Sequence, residues 1–359
     1  KILEQSDNLI SASEVCKENL KIFLNRNLIL SSILPLFIDC NFETKILDKY
    51  KICMFVSTQS ENESVTAHRC SLISLHLKRI FELNGATVHT FSDEEESRVH
   101  CVGDDILCYR ICDNIDTTVK RDSPKLILCS SVLDKTKGTK LNMSLADYKR
   151  LLREELKCAV LHKVACLREE VLESYLSNLV TGCLNLQFLN VNHSAVLKVN
   201  VDGPKNTRES AFVLYNHARL CNLLNNFESL IIEGIIPTLP PVSTVDFTLL
   251  KHSEEWDLFW LFIHKYPELI REVSSDCMCN FDNKLEIISS FPSHTISKFL
   301  HRLSHCLSVY YSRVHILPPS KIPSSKFTSH LLPTLWARIY LLKCVFRVMK
   351  SSLQLLNIT

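Results

Sequence analysis

The sequence predicts an α/β module over residues 1–200 followed by an all-α helical bundle over residues 201–359. Three observations carry this. Strand and helix patterns alternate between Lys51 and Phe91. From about Glu209 onward the apolar period becomes 3.6 and strand patterns cease. A length of 359 residues, with 46% apolar and 22% charged residues, suits two domains with a sizeable core.

The most apolar early stretch, 27–40, is interrupted by Pro35 and is too short to span a bilayer. No signal peptide is recognisable, and the expectation is a cytoplasmic protein with no membrane partner. "KICMFVST" (51–58) reads as a buried strand, and the polar loop "QSENESVTAH" follows. A helical pattern then runs from Arg69 to Leu83, where Asn84-Gly85 ends it. "ATVHTF" is a second strand, which makes a βαβ unit of parallel-sheet type. "PKLILCSSVL" (124–133) reads as one further buried strand leading into the loop "DKTKGTKLNMS". Ser144 is placed to cap a helix carrying Tyr148 to Leu161, with Asp147 in the role of a capping-box glutamate.

Four helices are predicted in the second half, at 209–233, 253–273, 294–314 and 333–356. Prolines 237, 240, 241, 318, 319 and 323 mark the loops between them. On the last helix Leu335, Ile339, Leu342, Val345, Phe346, Met349, Leu353 and Leu356 form one apolar arc. Lys343, Arg347 and Lys350 cluster beside it within about 60°. Arg338 falls inside the arc, so it is expected in the core, bonded to carbonyls or helix ends.

Charge is distributed unevenly. No Asp or Glu occurs from Ile287 to Thr359, a stretch with nine lysines and arginines; the rest holds 32 basic against 39 acidic residues, a net of −7. A long segment of one sign calls for a polyanionic partner. Five histidines (294, 301, 305, 315 and 330) lie in the same segment. The sixteen cysteines are scattered without a C-x-x-C pair, which reads as reduced, mostly buried thiols rather than a zinc site. Cys277-x-Cys279 and the His301/His305 pair lack the further ligands a metal needs. No metal and no cofactor are therefore expected.

Four stretches resemble, in order, the helices of the DALR anticodon-binding domain of arginyl-tRNA synthetases: "YNHARLCNLL", "EEWDLFWLFIHKYPELI", "LSHCLSVYYSRVHIL" and "WARIYLLKCVFRVMKSSLQLLNI". The N-terminal part is similar to the strand–helix–strand that holds the nucleotide in a class I synthetase. "SSVLDKTKGTKLNMSLADYKRLL" resembles the region of its mobile lysine loop. The resemblance implies a degenerate class I synthetase-like (Rossmann-like) module before the DALR bundle. It places Arg219 where the domain's helices meet the tRNA-facing groove, and the aromatic and basic residues Tyr311, Arg313, His315, Lys343, Arg347 and Lys350 are expected to hold the anticodon arm of an arginine tRNA with it. Arg219 either holds the bundle together or touches RNA. Of the adjacent tyrosines, Tyr311 is expected to be the more exposed and Tyr310 the packed one.

Catalysis is not expected. A class I synthetase needs a His-x-Gly-His element, and the loop at 59–69 contains no glycine and only His68. "KLNMSL" keeps Lys140 and Ser144 without restoring the lysine-loop motif. The chain has 6 glycines, where average usage near 7% predicts about 25. No Walker loop, G-x-S-x-G or G-x-G-x-x-G occurs. The resemblance to non-synthetase relatives implies a tRNA-recognition subunit that recruits the methyltransferase making 3-methylcytidine at position 32, with no DNA partner. A divergent arginyl-tRNA synthetase is the alternative, and a scaffold that no longer meets RNA is a third reading.

Overall fold

The computed structural model describes residues 9–16, 19–39, 42–43, 45–56, 63–92, 106–112, 125–164, 169–202, 207–278, 287–288, 292–317 and 331–358. In chain order the elements begin with the hairpin strands β1 (Ile10–Cys16) and β2 (Asn19–Leu24), then α1 (Arg26–Ile38). Next come β3 (Lys51–Val56), α2 (Val65–Leu83), β4 (Thr87–Ser92), β5 (Ile106–Cys112), β6 (Lys125–Leu128) and β7 (Val132–Asp134). Helices α3 (Leu145–Val164) and α4 (Glu169–Phe188) precede β8 (Leu197–Val199) and α5 (Thr207–Ile232). Helix α6 (Ser253–Asp257) runs into a π-helical stretch, Leu258–His264. The last elements are α7 (Tyr266–Met278), β9 (Ile287–Ile288), α8 (Thr295–Arg313) and α9 (Leu332–Leu355). No described helix is long and apolar enough to cross a membrane.

Contacts divide the chain into two compact units. A sheet unit comprises Phe42–Tyr215, Glu268–His301 and Ser351–Thr359; a bundle unit comprises Lys1–Asn41, Asn216–Pro267 and Arg302–Lys350.

The sheet unit is built on five parallel strands in the order β4-β3-β5-β6-β9. The predicted βαβ unit is present, with α2 beginning at Val65 rather than Arg69 because Ser64 accepts the Ala67 N–H at 3.1 Å as its N-cap. Ile52, Met54, Leu72, Leu77, Ile80, Phe81 and Tyr109 are buried between α2 and the strands. Arg69 has no exposed surface and donates to the carbonyls of Ser130 (2.7 Å), Asn192 (2.8 Å) and Ala195 (3.0 Å), which satisfies a buried charge without a carboxylate. The expected single strand 124–133 is two strands in different sheets. After Leu128 the chain turns so that the Ser130 N–H meets the His193 carbonyl, and β7 pairs with β8 instead. Strands also do not cease at 209, since β9 adds to the edge of β6. The Ser144–Asp147 cap forms as expected: Ser144 Oγ accepts the Asp147 N–H and donates to its carboxylate.

The predicted apolar arc of the last helix is buried except for half-exposed Phe346, with Leu353 and Leu356 falling in the sheet unit. The expected helix 253–273 is interrupted by the π-helical stretch. Helix α1, absent from the sequence reading, passes through Pro35; Asn25 caps it by accepting the Leu28 N–H. Among the described cysteines nine are free thiols, four of them buried, while Cys108 is disulfide-bonded, a departure from the all-thiol expectation.

Candidate nucleic-acid interface

Three helices of the bundle unit position the side chains in question. On α5, Arg219 lies over the ring of Tyr311 on α8, its Cζ 3.4 Å from the ring centroid. Stacking holds the guanidinium by dispersion and cation–π attraction, which uses its face. Its N–H edges have no acceptor among the described residues, and the Tyr311 hydroxyl has no partner among them either. Both residues are half-buried. The pair is thus a preformed planar fork beside a phenol edge.

Tyr310 has the opposite fate. It is fully buried and donates to Glu255 Oε1 at 3.0 Å. Arg338 Nε donates to the same oxygen at 2.8 Å, and Glu255 Oε2 accepts the His252 N–H at 2.9 Å. Arg338 is therefore near the core as expected, but it meets a carboxylate rather than a carbonyl or helix end. Neighbouring Glu254 pairs with Arg313, whose side chain is 66% exposed. The Glu254 N–H and the Arg313 guanidinium hold the Glu254 carboxyl below the usual range. Burial, then the Glu255 charge, push the Tyr310 phenol up, so it stays a donor. Neither glutamate was singled out from the sequence; the available signal was their position in the first turn of a helix.

Helix α9 meets α5 through a second stack, His217 on Phe346, with centroids 5.3 Å apart and planes at 12°. Burial and then nearby Lys350 lower the His217 pKa. Lys350 is exposed and Lys343 half-buried. Arg347 is turned elsewhere: its Nη1 donates to the Ile38 carbonyl at the end of α1, and Asp39 lies 3.8 Å away. His315 is exposed just past α8. Lys321, Lys326 and His330 lie outside the described residues.

A further feature escaped the sequence reading. Trp256 and Trp260 stack at 5.3 Å and 9°, and Trp260 stacks on His264 at 4.7 Å and 6°. Arg26 of α1 lies over the ring of Trp256, at 5.3 Å.

In the sheet unit the region resembling a nucleotide site brings several of its own side chains together. His68 lies 3.5 Å from Glu63 and edge-on to Phe188, which in turn neighbours Tyr148. Burial pushes His68 down to about 4 and raises Glu63. The segment resembling the lysine loop is fastened to the start of α2. Ser64 and Ser144 form a β-bridge, and the Leu145 N–H donates to the Glu63 carbonyl at 2.9 Å. Residues 57–62 of the glycine-free loop lie outside the described residues. No cluster able to hold a metal occurs among the described residues, and Cys279 lies outside them.

Residues 213–359 match the DALR anticodon binding domain family. DALR anticodon-binding domain-containing protein 3 of Rattus norvegicus is 31% identical over 161 residues, 43% of this chain and 26% of the rat protein. The Danio rerio protein of that name is 25% identical over 240 residues, 65% of this chain and 40% of its own length. Arginine–tRNA ligase of Malacoplasma penetrans is 26% identical over 182 residues, 49% of this chain and 26% of the ligase. The chain thus matches less than half the length of each of these relatives. Among solved structures, a putative arginyl tRNA synthetase of Campylobacter jejuni shares the fold at TM-score 0.57 and 9% identity, over 93% of this chain and 99% of that one.

Proposed function

We propose that the protein is a non-catalytic tRNA-recognition subunit that selects arginine tRNAs and recruits the methyltransferase forming 3-methylcytidine at position 32, a reading supported by the match of residues 213–359 to the DALR anticodon binding domain family. The observation that carries the RNA half is the Arg219–Tyr311 pair, whose donors are oriented but unused. A stacked guanidinium offers a fixed fork to a phosphate or a base edge, and the phenol hydroxyl adds a hydrogen-bonding group beside it. Exposed Lys350 and His315 and half-buried Lys343 supply donors for the backbone. Arg313 and Arg347 border the surface from pairs within the protein.

The non-catalytic half rests on the glycine-free loop at 59–69 and on the contacts made beside it. Half-buried His68 beside buried Glu63, and a segment bridged to the start of α2 at Ser144, support the reading that this region no longer works on a triphosphate. Recruitment of the methyltransferase follows the resemblance to the non-synthetase relatives. Binding through a linked module would raise the enzyme's effective concentration at the anticodon loop. The test reconstitutes the protein, an arginine tRNA transcript and the methyltransferase. Formation of 3-methylcytidine that depends on this chain and fails with Arg219→Ala supports the reading; modification indifferent to the chain sinks it. The similarity to an arginine–tRNA ligase keeps a divergent synthetase as the second reading, and arginine-dependent ATP–pyrophosphate exchange above a His68→Ala control would establish that one.

A further inference from the structure

We propose that the turn connecting β7 to α3, which carries Lys135, Lys137 and, at its base, Lys140, is a second RNA-contacting element, a rigid lysine finger on the sheet unit that grips the tRNA phosphate backbone. The proposal rests on the tRNA-binding reading but uses none of the bundle's residues. It also runs against the net charge of −7 outside the C-terminal segment, because a phosphate responds to local charge within a Debye length and not to the total.

Six consecutive residues, 135–140, are exposed, and three are lysines. The turn's carboxylate is turned inward: Asp134 is 4% exposed and accepts the Thr136 hydroxyl (2.6 Å) and N–H (2.8 Å). Those bonds hold its carboxyl below the usual range, so it remains an acceptor for the turn. The Lys137 ammonium sits 3.9 Å from it with its side chain 69% exposed, a distant pairing that leaves the head in water.

The turn is stiff. Asp134 N–H donates to the Thr139 carbonyl, Gly138 N–H to that of Asp134, and Leu141 N–H to that of Val132, at 2.8–2.9 Å. Lys135 N–H ties the outer end to Val199 of β8 at 2.7 Å. Gly138 reverses the chain at φ +69°, with open space where a side chain would stand. Exposed Lys198 on β8, in register with Leu133, adds a fourth cation beside the base of the turn. A stiff presentation loses little entropy on binding.

Composition decides the class of partner. Lys-Thr-Lys-Gly-Thr-Lys carries donors and no apolar or aromatic side chain. Protein interfaces take their energy from buried aromatic and aliphatic anchors and are depleted in lysine. Positioning on a nucleic-acid backbone needs only cations and hydroxyls.

The test measures affinity of the whole chain for an arginine tRNA transcript across 50–200 mM salt. Variants are Lys135→Gln/Lys137→Gln/Lys140→Gln, the corresponding triple arginine, and Arg219→Ala, each checked for unchanged melting. The triple glutamine should lower the slope of log affinity against log salt by about two and weaken binding about tenfold, while triple arginine retains both. An unchanged slope in the glutamine variant, with binding still lost in Arg219→Ala, overturns the finger and leaves the anticodon reading standing. No tRNA binding by the unaltered chain overturns both. Lysine-dependent capture of polyglutamate with the tRNA slope unchanged assigns the turn to an acidic protein and overturns the proposal.

Discussion

Arg338 donates its Nε–H to Oε1 of Glu255, a carboxylate with no exposed surface, across 83 positions of the chain. Together with Tyr310 and the His252 N–H, this one side chain joins the start of α6 to α8 and α9. Glu255→Ala strands a half-buried guanidinium and a buried phenol, so it should cost about 3 kcal/mol in urea unfolding. Adding Arg338→Met to Glu255→Gln should recover part of the loss, because an apolar replacement removes the orphaned charge. Equal stabilities for the single and double variants would refute the coupling.

Tyr311 should matter for RNA and not for folding. Tyr311→Ala removes a stacking surface worth about 1–3 kcal/mol, a loss of roughly 5–150-fold in tRNA affinity. Arg219→Lys keeps the charge but loses the planar fork, and should also weaken binding. Filter binding with a melting control checks this; lost stability with unchanged affinity would make the pair a packing device.

The stripe on α9 divides into two kinds of cation. Lys343→Ala/Lys350→Ala should reduce the salt slope of tRNA binding by about one to two, with little change in stability. Arg347→Ala should instead lower stability, since it removes a donor from the end of α1. Isothermal affinity series and denaturant melts separate the two outcomes.

Acid should weaken the sheet unit through His76. Its Nδ1–H donates to the Leu355 carbonyl at 2.7 Å, and burial pushes its pKa down to about 4. Between pH 6.5 and 4 the unfolded chain takes up a proton that the folded one refuses. The contribution is therefore complete above 6.5 and falls away as pH drops, by about 3 kcal/mol. Glu63, raised by burial, acts in the opposite direction. Comparison with His76→Gln isolates the histidine: the variant's stability should depend less on pH in that window, and parallel curves would refute the assignment.

Local signals were legible and distant pairings were not. The Ser144–Asp147 cap, the contrasting burial of Tyr310 and Tyr311, and the buried arc of α9 follow from spacing within one helix. The break at Cys129–Ser131 depends on the His193 carbonyl, more than sixty residues away. Glu255 looks like an ordinary first-turn acid until Arg338 reaches it. Helix α1 was hidden by Pro35, which this helix accommodates. Arg347 shares a stripe with Lys343 and Lys350 by angle alone, and only the end of α1 distinguishes it.

The stacked indoles have an optical consequence. The chain holds three tryptophans, Trp256, Trp260 and Trp336, and all belong to the bundle unit. Intrinsic emission excited at the red edge therefore reports on that unit alone, while tyrosine absorbance samples both. Two rings nearly parallel at 5.3 Å form an excitonically coupled pair, and the imidazole against Trp260 is a quencher whose strength grows when it is protonated. Loss of the coupled signal would time the opening of the RNA-binding unit without any label, in the same cuvette in which far-ultraviolet dichroism follows the whole chain.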